Sequence, residues 1–249
     1  MPNESKLPLY GFNNLTKNLS FSFYKVHYLY DDNAASIYQQ LISDRFNSEK
    51  LSQLLSKICH AIGGNILNLS AQDYLPHGAS VTVMMSEEAQ PESLIAHLDK
   101  SHLCIHTYPD DKPQDKIAIF RADIDLSTCG VISPLKVLNY LINEFQADVV
   151  DIDYRVRGMT RDNSGEKLFI DEGITAISDY FSTETLELYS YVEHNLSEQH
   201  LFHCKLARKK LTLCQSTISS DKKTLPQENQ QTIFANLEQQ IHVLFSGRK

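Results

Sequence analysis

Two stretches, FRADIDL (120–126) and VDIDYRV (150–156), decide the fold, because apolar and polar side chains alternate strictly in both. Such alternation places every second side chain on the same face of a β-strand. Each stretch therefore predicts a strand with one buried face and one wet face. This pattern is typical of an antiparallel sheet whose second face meets solvent.

The remaining sequence supplies further strands and a set of helices. Aromatic and β-branched residues predict strands at 21–30 (FSFYKVHYLY) and 80–85 (SVTVMM). Apolar periodicity predicts helices at 33–46, 49–61, from Ser133-Pro134 onward, 185–195, 198–212 and 228–245. Because strands and helices are grouped rather than strictly alternating, we expect one α+β domain over residues 1–249. Its fold would be a two-layer α/β sandwich, an antiparallel sheet with helices packed on one face.

Charge and composition exclude several classes of protein. The chain carries 31 acidic and 23 basic residues, a net charge of −8, and no long basic run. This balance argues against nucleic acid or an anionic membrane as a partner and suits a small cationic ligand better. The longest apolar runs are too short to span a membrane, and residues 1–12 lack the pattern of a signal peptide. Five cysteines without a CxxC motif predict free thiols, so we expect a cytoplasmic protein.

The residues best suited to catalytic chemistry lie at 98–109, LDKSHLCIHTYP. As a strand, this stretch places four polar, titratable side chains on one face, and they are His102, Cys104, His106 and Tyr108. Cys129 follows at the end of the next predicted strand, shortly before a helix start. Backbone amides near such a position can activate a thiol.

The residue pattern alone leaves three interpretations of these side chains open. The first is that they are buried polar residues satisfied by local partners, which is the common situation for a single His or Cys. The second is a hydrolase in which Cys104 or Cys129 is the nucleophile and His106 the base. The third is a metal site, since the predicted helix 198–212 contains His200, His203 and Cys204, although the spacing matches no structural zinc pattern.

A family resemblance favours a fourth interpretation. It rests on the segments YGFNNLTKNLSFSFY (10–24), GGNILNLSAQDYLPHGASVTVMMSEE (63–88), LDKSHLCIHTYP (98–109), FRADIDLSTCGVISPLKVLNYL (120–141), DVVDIDYRVRGMTRD (148–162) and FIDEGI (169–174). Together they resemble the bacterial S-adenosylmethionine decarboxylase proenzymes of the larger, Gram-negative type, over nearly the whole chain. The chain departs from that form between Glu88 and His97, where it is shorter, just before the expected processing site.

The resemblance implies that the chain cuts itself at Lys100–Ser101. The Ser101 hydroxyl would attack the Lys100 carbonyl, and elimination and hydrolysis would leave a pyruvoyl group on residue 101, with His106 as the processing base. The products would be a β chain (1–100) and an α chain (101–249) that stay folded together. The pyruvoyl group would bind the substrate amine as a Schiff base and accept electrons on loss of CO₂. Cys129 would then donate a proton to the product carbon.

The resemblance also implies a substrate, a pathway and partners. The substrate would be S-adenosylmethionine, decarboxylated to the aminopropyl donor for spermidine synthesis, and αβ units would form a homo-oligomer. Mg²⁺ would be an activator, with ligand residues that the sequence does not reveal. Tyr108 and Asp110 are candidates for adenine and ribose binding by proximity only, and a structural role suits each as well. The alternatives are a pyruvoyl enzyme for ornithine or arginine and a non-catalytic regulatory homologue, which we would expect to lack Ser101, His106 or Cys129.

Overall fold

The structure, a computed structural model, describes residues 15–86, 101–129, 132–161, 164–169, 171–220 and 227–248. Lys100, the shortened 88–97 segment and residues 221–226 lie outside the described residues. The main element is a nine-stranded sheet, in which eight strands follow one another in an antiparallel path. The ninth strand is short and pairs in parallel with a strand in the middle of that path.

The bounds of these elements are as follows. The strands of the sheet are β1 (Thr16–Leu29), β2 (Asn65–Asp73), β3 (Ala79–Ser86), β4 (His102–Pro109), β5 (Ile117–Cys129), β6 (Val149–Arg157), β9 (Tyr189–Leu196), β10 (Leu201–Arg208) and β11 (Thr217–Ile218), and a separate pair consists of β7 (Thr160–Arg161) and β8 (Lys167–Leu168). The spatial order of the strands in the sheet is β2-β3-β4-β5-β1-β6-β10-β9, and β11 pairs with β1. The α-helices are α1 (Ala34–Arg45), α2 (Ser48–Ile62), α3 (Leu138–Phe145), α4 (Thr183–Leu188), α5 (Leu213–Ser216) and α6 (Gln227–Ser246). A 3₁₀ turn at Pro134–Val137 leads into α3, which confirms the helix start predicted at Ser133-Pro134.

Strand β1 lies in the middle of the sheet and is paired along its length. It pairs with β5 from Thr16 to Tyr28 and with β6 from Thr16 to Tyr24. The side chain of Phe23 faces the core, where its ring stacks on that of Phe145 in α3 with centroids 4.4 Å apart. Because β1 precedes residue 101 and both its neighbours follow it, the two parts of the chain are interleaved in one sheet.

The helices confirm the predicted α+β class and cover mainly one face of the sheet. Helix α2 illustrates how a helix covers this face. Asn47 caps its first turn, and its apolar stripe, including Leu55 and Ile58, is buried against the sheet. The helix ends at Gly63, whose φ of +93° lies in the left-handed region that costs glycine little. Helix α6 differs from the prediction of helices on one face, because it packs on the opposite face, against Val26 of β1. Within the described ranges, no helix combines the length and apolar character needed to cross a membrane.

The helices predicted at 185–195 and 198–212 are wrong. Only α4 and a 3₁₀ turn at Ser197–Gln199 are helical there, and the chain continues as the antiparallel pair β9 and β10 at one edge of the sheet. In β10 the buried side chains are spaced by two, and they are Phe202, Cys204 and Leu206. Strand β9 shows little alternation, since most of its side chains are exposed at the edge. An edge strand without a buried face therefore hides the periodicity on which the prediction depends.

His27 is a buried titratable group on the core face of β1. Its Nδ1 has no hydrogen-bond partner among the described residues, and burial lowers the pKa of His27 from 6.5 to about 3. The positive charges of Lys25 and Arg45 act in the same direction. His27 therefore stays neutral in the folded protein at neutral pH.

This burial predicts a pH dependence of stability. Below pH 6.5 the unfolded chain binds a proton that the folded chain excludes, so the free energy of unfolding should fall as pH drops from 6.5 towards 3. The His27→Gln variant should flatten this slope in urea unfolding between pH 6.5 and 4.5. His60→Gln, at an exposed position of α2, is the control and should keep the wild-type slope. Equal slopes in wild type and His27→Gln would contradict the assignment.

Candidate active site

Ser101 and Cys129 meet at one end of the sheet. Ser101 immediately precedes β4, Cys129 is the last residue of β5, and the register of these strands pairs His102 with Ser127. The Ser101 Oγ lies 3.0 Å from the Cys129 Sγ, and the Cys129 backbone N–H donates to the same Oγ at 3.2 Å. Both side chains are buried. The sequence placed these residues 28 positions apart, and the strand register brings them into contact.

The contacts of Ser101 are those of a group prepared for reaction. An N–H group that points at a hydroxyl oxygen stabilises negative charge there, and a neighbouring thiol can accept or donate a proton. The Ser101 carbonyl is held as well, because the Met85 N–H of β3 donates to it at 3.2 Å. The hydroxyl and the carbonyl of residue 101 are therefore both fixed by backbone groups of adjacent strands.

His106 lies on the predicted face of β4 but not next to Ser101. Five residues of extended chain separate the two, about 16 Å at the rise of a β-strand. Its backbone pairs with Asp123 of β5 and Ser80 of β3, and its ring lies 6.5 Å from that of Tyr108. Within one chain, the structure therefore brings together Ser101 and Cys129 but not His106.

Tyr108 and Asp110 lie still further from Ser101. The Tyr108 side chain is half exposed, with the Arg121 guanidinium 5.5 Å from its ring centroid. The Asp110 carboxylate accepts a hydrogen bond from the Lys112 N–H in a surface turn. Their observed contacts are those of structural residues, and substrate binding by either remains a prediction.

The hydrolase interpretation finds no support in the Cys104 environment. Burial, reinforced by the carboxylate of Asp125, raises the pKa of the Cys104 thiol, so the thiol is protonated and weakly nucleophilic. The predicted cluster of His200, His203 and Cys204 also fails, because these residues do not share a helix. His203 and Cys204 are neighbours on β10 and point to opposite faces. In the ranges that the structure describes, no three potential metal ligands of the types His, Cys, Asp and Glu lie together.

A buried charge cluster near this site was missed by the sequence analysis. Lys17 occupies a core-facing position of β1, its side chain is 1% exposed, and its Nζ lies 3.2 Å from Asp171 Oδ2. The Tyr154 hydroxyl donates to the same carboxylate oxygen at 3.1 Å. Lys17 pairs with Thr128, the residue before Cys129. The available signal was a lysine in the apolar half of an alternating strand, where Leu19, Phe21 and Phe23 follow it.

A groove on the open face of the sheet begins one strand away from Cys129. It has a volume of about 450 Å³ and is formed by β1, β6, β9 and β10. Arg155 and Arg157 line it, and Arg157 donates to Asn18 Oδ1 at 3.2 Å. Thr16 pairs with both Cys129 and Arg157, so the groove and the Ser101–Cys129 contact share one end of the sheet.

Comparison with known proteins identifies the family of the chain. Residues 38–158 match the family model of S-adenosylmethionine decarboxylase. The chain is 44% identical to S-adenosylmethionine decarboxylase proenzymes of Alkaliphilus oremlandii and Pseudomonas aeruginosa, over 98% of its own length and 97% and 98% of theirs. It is 43% identical to that of Salmonella arizonae, again over 98% of this chain and 97% of the relative. The chain therefore belongs to the S-adenosylmethionine decarboxylase family.

Proposed function

We propose that this protein cleaves itself between Lys100 and Ser101 and then decarboxylates S-adenosylmethionine. The observation that carries the proposal is the buried Ser101 hydroxyl in contact with the Cys129 thiol and amide. The relatives are named as proenzymes, a term for precursors that are processed. The products would be a β chain, 1–100, and an α chain, 101–249, within one catalytic domain.

The residues around Ser101 suit the cleavage step. The Ser101 oxygen would attack the Lys100 carbonyl, so that an ester bond replaces the peptide bond before the chain separates. The Cys129 N–H stabilises charge on the attacking oxygen, and the Met85 N–H holds the adjacent carbonyl. Lys100 itself lies outside the described residues.

The same residues suit the reaction that follows. The pyruvoyl group that this family makes from its serine supplies an electron-accepting carbonyl next to an amide. The residues present fit it, because the Met85 N–H already donates to the residue 101 carbonyl oxygen and would stabilise negative charge there. The Cys129 thiol, 3.0 Å from the Ser101 side chain, is placed to deliver a proton to the product carbon.

The choice of substrate rests on family membership rather than on a described pocket. The alternatives are decarboxylation of ornithine or arginine by the same chemistry. Measuring CO₂ release from each of the three compounds in turn decides between them. A non-catalytic regulatory role is disfavoured, because Ser101, His106 and Cys129 are all present.

The family resemblance also implies an activator, a product and an assembly for this protein. We propose Mg²⁺ as an activator, with ligands not assigned, and S-adenosylmethioninamine as the product that enters spermidine synthesis. A cytoplasmic location is supported by five cysteines that are all free. We also propose a homo-oligomer of αβ units, as the family resemblance implies.

The cleavage is tested by intact mass under denaturing conditions. Wild-type protein should give two fragments that meet at Lys100/Ser101, the larger lacking a free amino terminus, and Ser101→Ala should give one chain. Under native conditions the fragments should migrate as one particle, because β1 is held between β5 and β6. A single uncleaved chain in an active preparation would refute the mechanism.

The role of Cys129 is tested by a pair of cysteine variants. Cys129→Ala should still cleave, but its turnover should fall by about 10²–10⁴-fold, the usual contribution of a positioned proton donor. Cys104→Ala is the matched control, since Cys104 lies on the neighbouring strand without contact to Ser101 among the described hydrogen bonds. Comparable turnover numbers for Cys129→Ala and wild type would remove Cys129 from the reaction.

The role of His106 is tested by mixing chains. Because β4 holds His106 about 16 Å from Ser101 in one chain, the proposed processing base has to come from a second copy. His106→Ala alone should cleave slowly, and co-expression with Ser101→Ala, which supplies His106, should restore cleavage of the His106→Ala chain. Failure of this rescue in a mixed oligomer would exclude His106 as a base acting between chains.

A further inference from the structure

Lys17 is a buried ammonium group whose hydrogen-bonding capacity is not used. Its Nζ is close to Asp171, at 3.2 Å, but this contact lacks hydrogen-bond geometry. Among the described residues, no acceptor receives a hydrogen bond from this Nζ. Burying a charged donor without acceptors is unfavourable, and a ligand that supplies an acceptor would complete the site.

The position of Lys17 relates it to Ser101. Lys17 pairs with Thr128 on β5, and the β4–β5 register places Ser101 on the other side of Thr128. Two strand spacings separate the backbones of Ser101 and Lys17, about 10 Å. The Lys17 side chain and a substrate bound at residue 101 would together span this distance.

Asp171 and Tyr154 fix the ammonium group in place. The Asp171 side chain is 11% exposed, and its Oδ2 is shared between Lys17 and the Tyr154 hydroxyl. Tyr154 is itself buried on β6, next to β1. The lysine is therefore charge-balanced before a ligand binds, while N–H donors remain available.

We propose that Lys17 binds the α-carboxylate of the substrate, and this inference rests on the decarboxylase function proposed above. An amino acid carries its amine and its carboxylate on the same carbon. If the amine reacts at residue 101, the carboxylate must lie beside the amine. It would then be within reach of the Lys17 ammonium on β1, the strand next to β5. Charge-assisted hydrogen bonds from an ammonium to a carboxylate are among the stronger contacts in proteins. The product has lost the carboxylate, so Lys17 distinguishes substrate from product.

A matched control lies on the same face of the same strand. Lys25 Nζ is 2.8 Å from Asp148 Oδ1 and donates a hydrogen bond to it, so this ammonium is satisfied within the protein. Lys25 lies near the far end of β1, eight residues from Lys17. The two lysines therefore share strand, face and type of partner, and they differ in their distance from Ser101 and in whether the protein supplies an acceptor.

The test compares Lys17→Met with Lys25→Met in the processed enzyme. For Lys17→Met we expect cleavage at 100/101 to persist and the KM for S-adenosylmethionine to rise about ten- to a hundredfold, as for loss of one charged hydrogen bond. The decarboxylated product should raise the melting temperature of Lys17→Met as much as that of wild type. Lys25→Met should keep the wild-type KM. A Lys17→Met protein with unchanged KM, or one that folds without cleaving, would overturn the proposal.

A double variant separates binding from structure. Lys17→Met/Asp171→Asn removes both charges, which should recover stability lost by leaving Asp171 unpaired. If Lys17 acts only in folding, the double variant recovers the wild-type KM as well, and the proposal fails. If Lys17 binds the carboxylate, the KM stays high while the melting temperature recovers. Absence of CO₂ release by wild type would instead refute the proposed function itself.

Discussion

The hydrogen bonding of β1 on both of its edges is the constraint on which the rest of the structure depends. Its ladders with β5 and β6 both begin at Thr16, which pairs with Cys129 and with Arg157. The start of β1 and the ends of β5 and β6 therefore lie together at one end of the sheet. That arrangement sets the backbones of Cys129 and Lys17 on adjacent strands, and it places Ser101 beside Cys129 and two strand spacings from Lys17. It also joins the two parts of the chain, because β1 comes before residue 101 and its neighbours come after it. A cut at Lys100–Ser101 therefore leaves the sheet continuous.

The reactive groups are positioned by strands rather than by loops. The Ser101 hydroxyl and carbonyl receive N–H groups from Cys129 and Met85, which belong to the strands on either side of β4. Backbone donors in a paired sheet need no reorganisation when charge develops on their acceptors. The scaffold thus supplies the electrostatic part of the proposed chemistry, and the side chains of Ser101 and Cys129 supply the groups that react.

Much of the fold could be predicted from local patterns. Strict alternation identified β5 and β6, and the Ser133-Pro134 start with its apolar stripe identified α3. The strand β9 was missed because an exposed edge strand carries little alternation, and β10 was missed although its buried side chains are spaced by two. The position of Ser101 next to Cys129 follows from a register that no short-range pattern specifies.

The site was predictable only in part for the same reason. The strand period placed His106 correctly on the same face of β4 as Tyr108. The same strand sets His106 five residues from Ser101, whereas the family resemblance assigned Ser101 and His106 to one reaction. The contact of Lys17 with Asp171 joins residues on opposite sides of the proposed cleavage site, and its only local sign was a lysine at an apolar position. Long-range contacts of this kind depend on the assembled sheet rather than on sequence spacing.

We propose that residue 101 becomes the group that binds the substrate. The most direct measurement is reduction with borohydride in the presence of S-adenosylmethionine, followed by mass spectrometry of the separated chains. We expect a substrate-derived adduct on the first residue of the 101–249 chain, formed only when substrate is present. An active enzyme without an adduct at residue 101, or with the adduct on a lysine side chain instead, would contradict it.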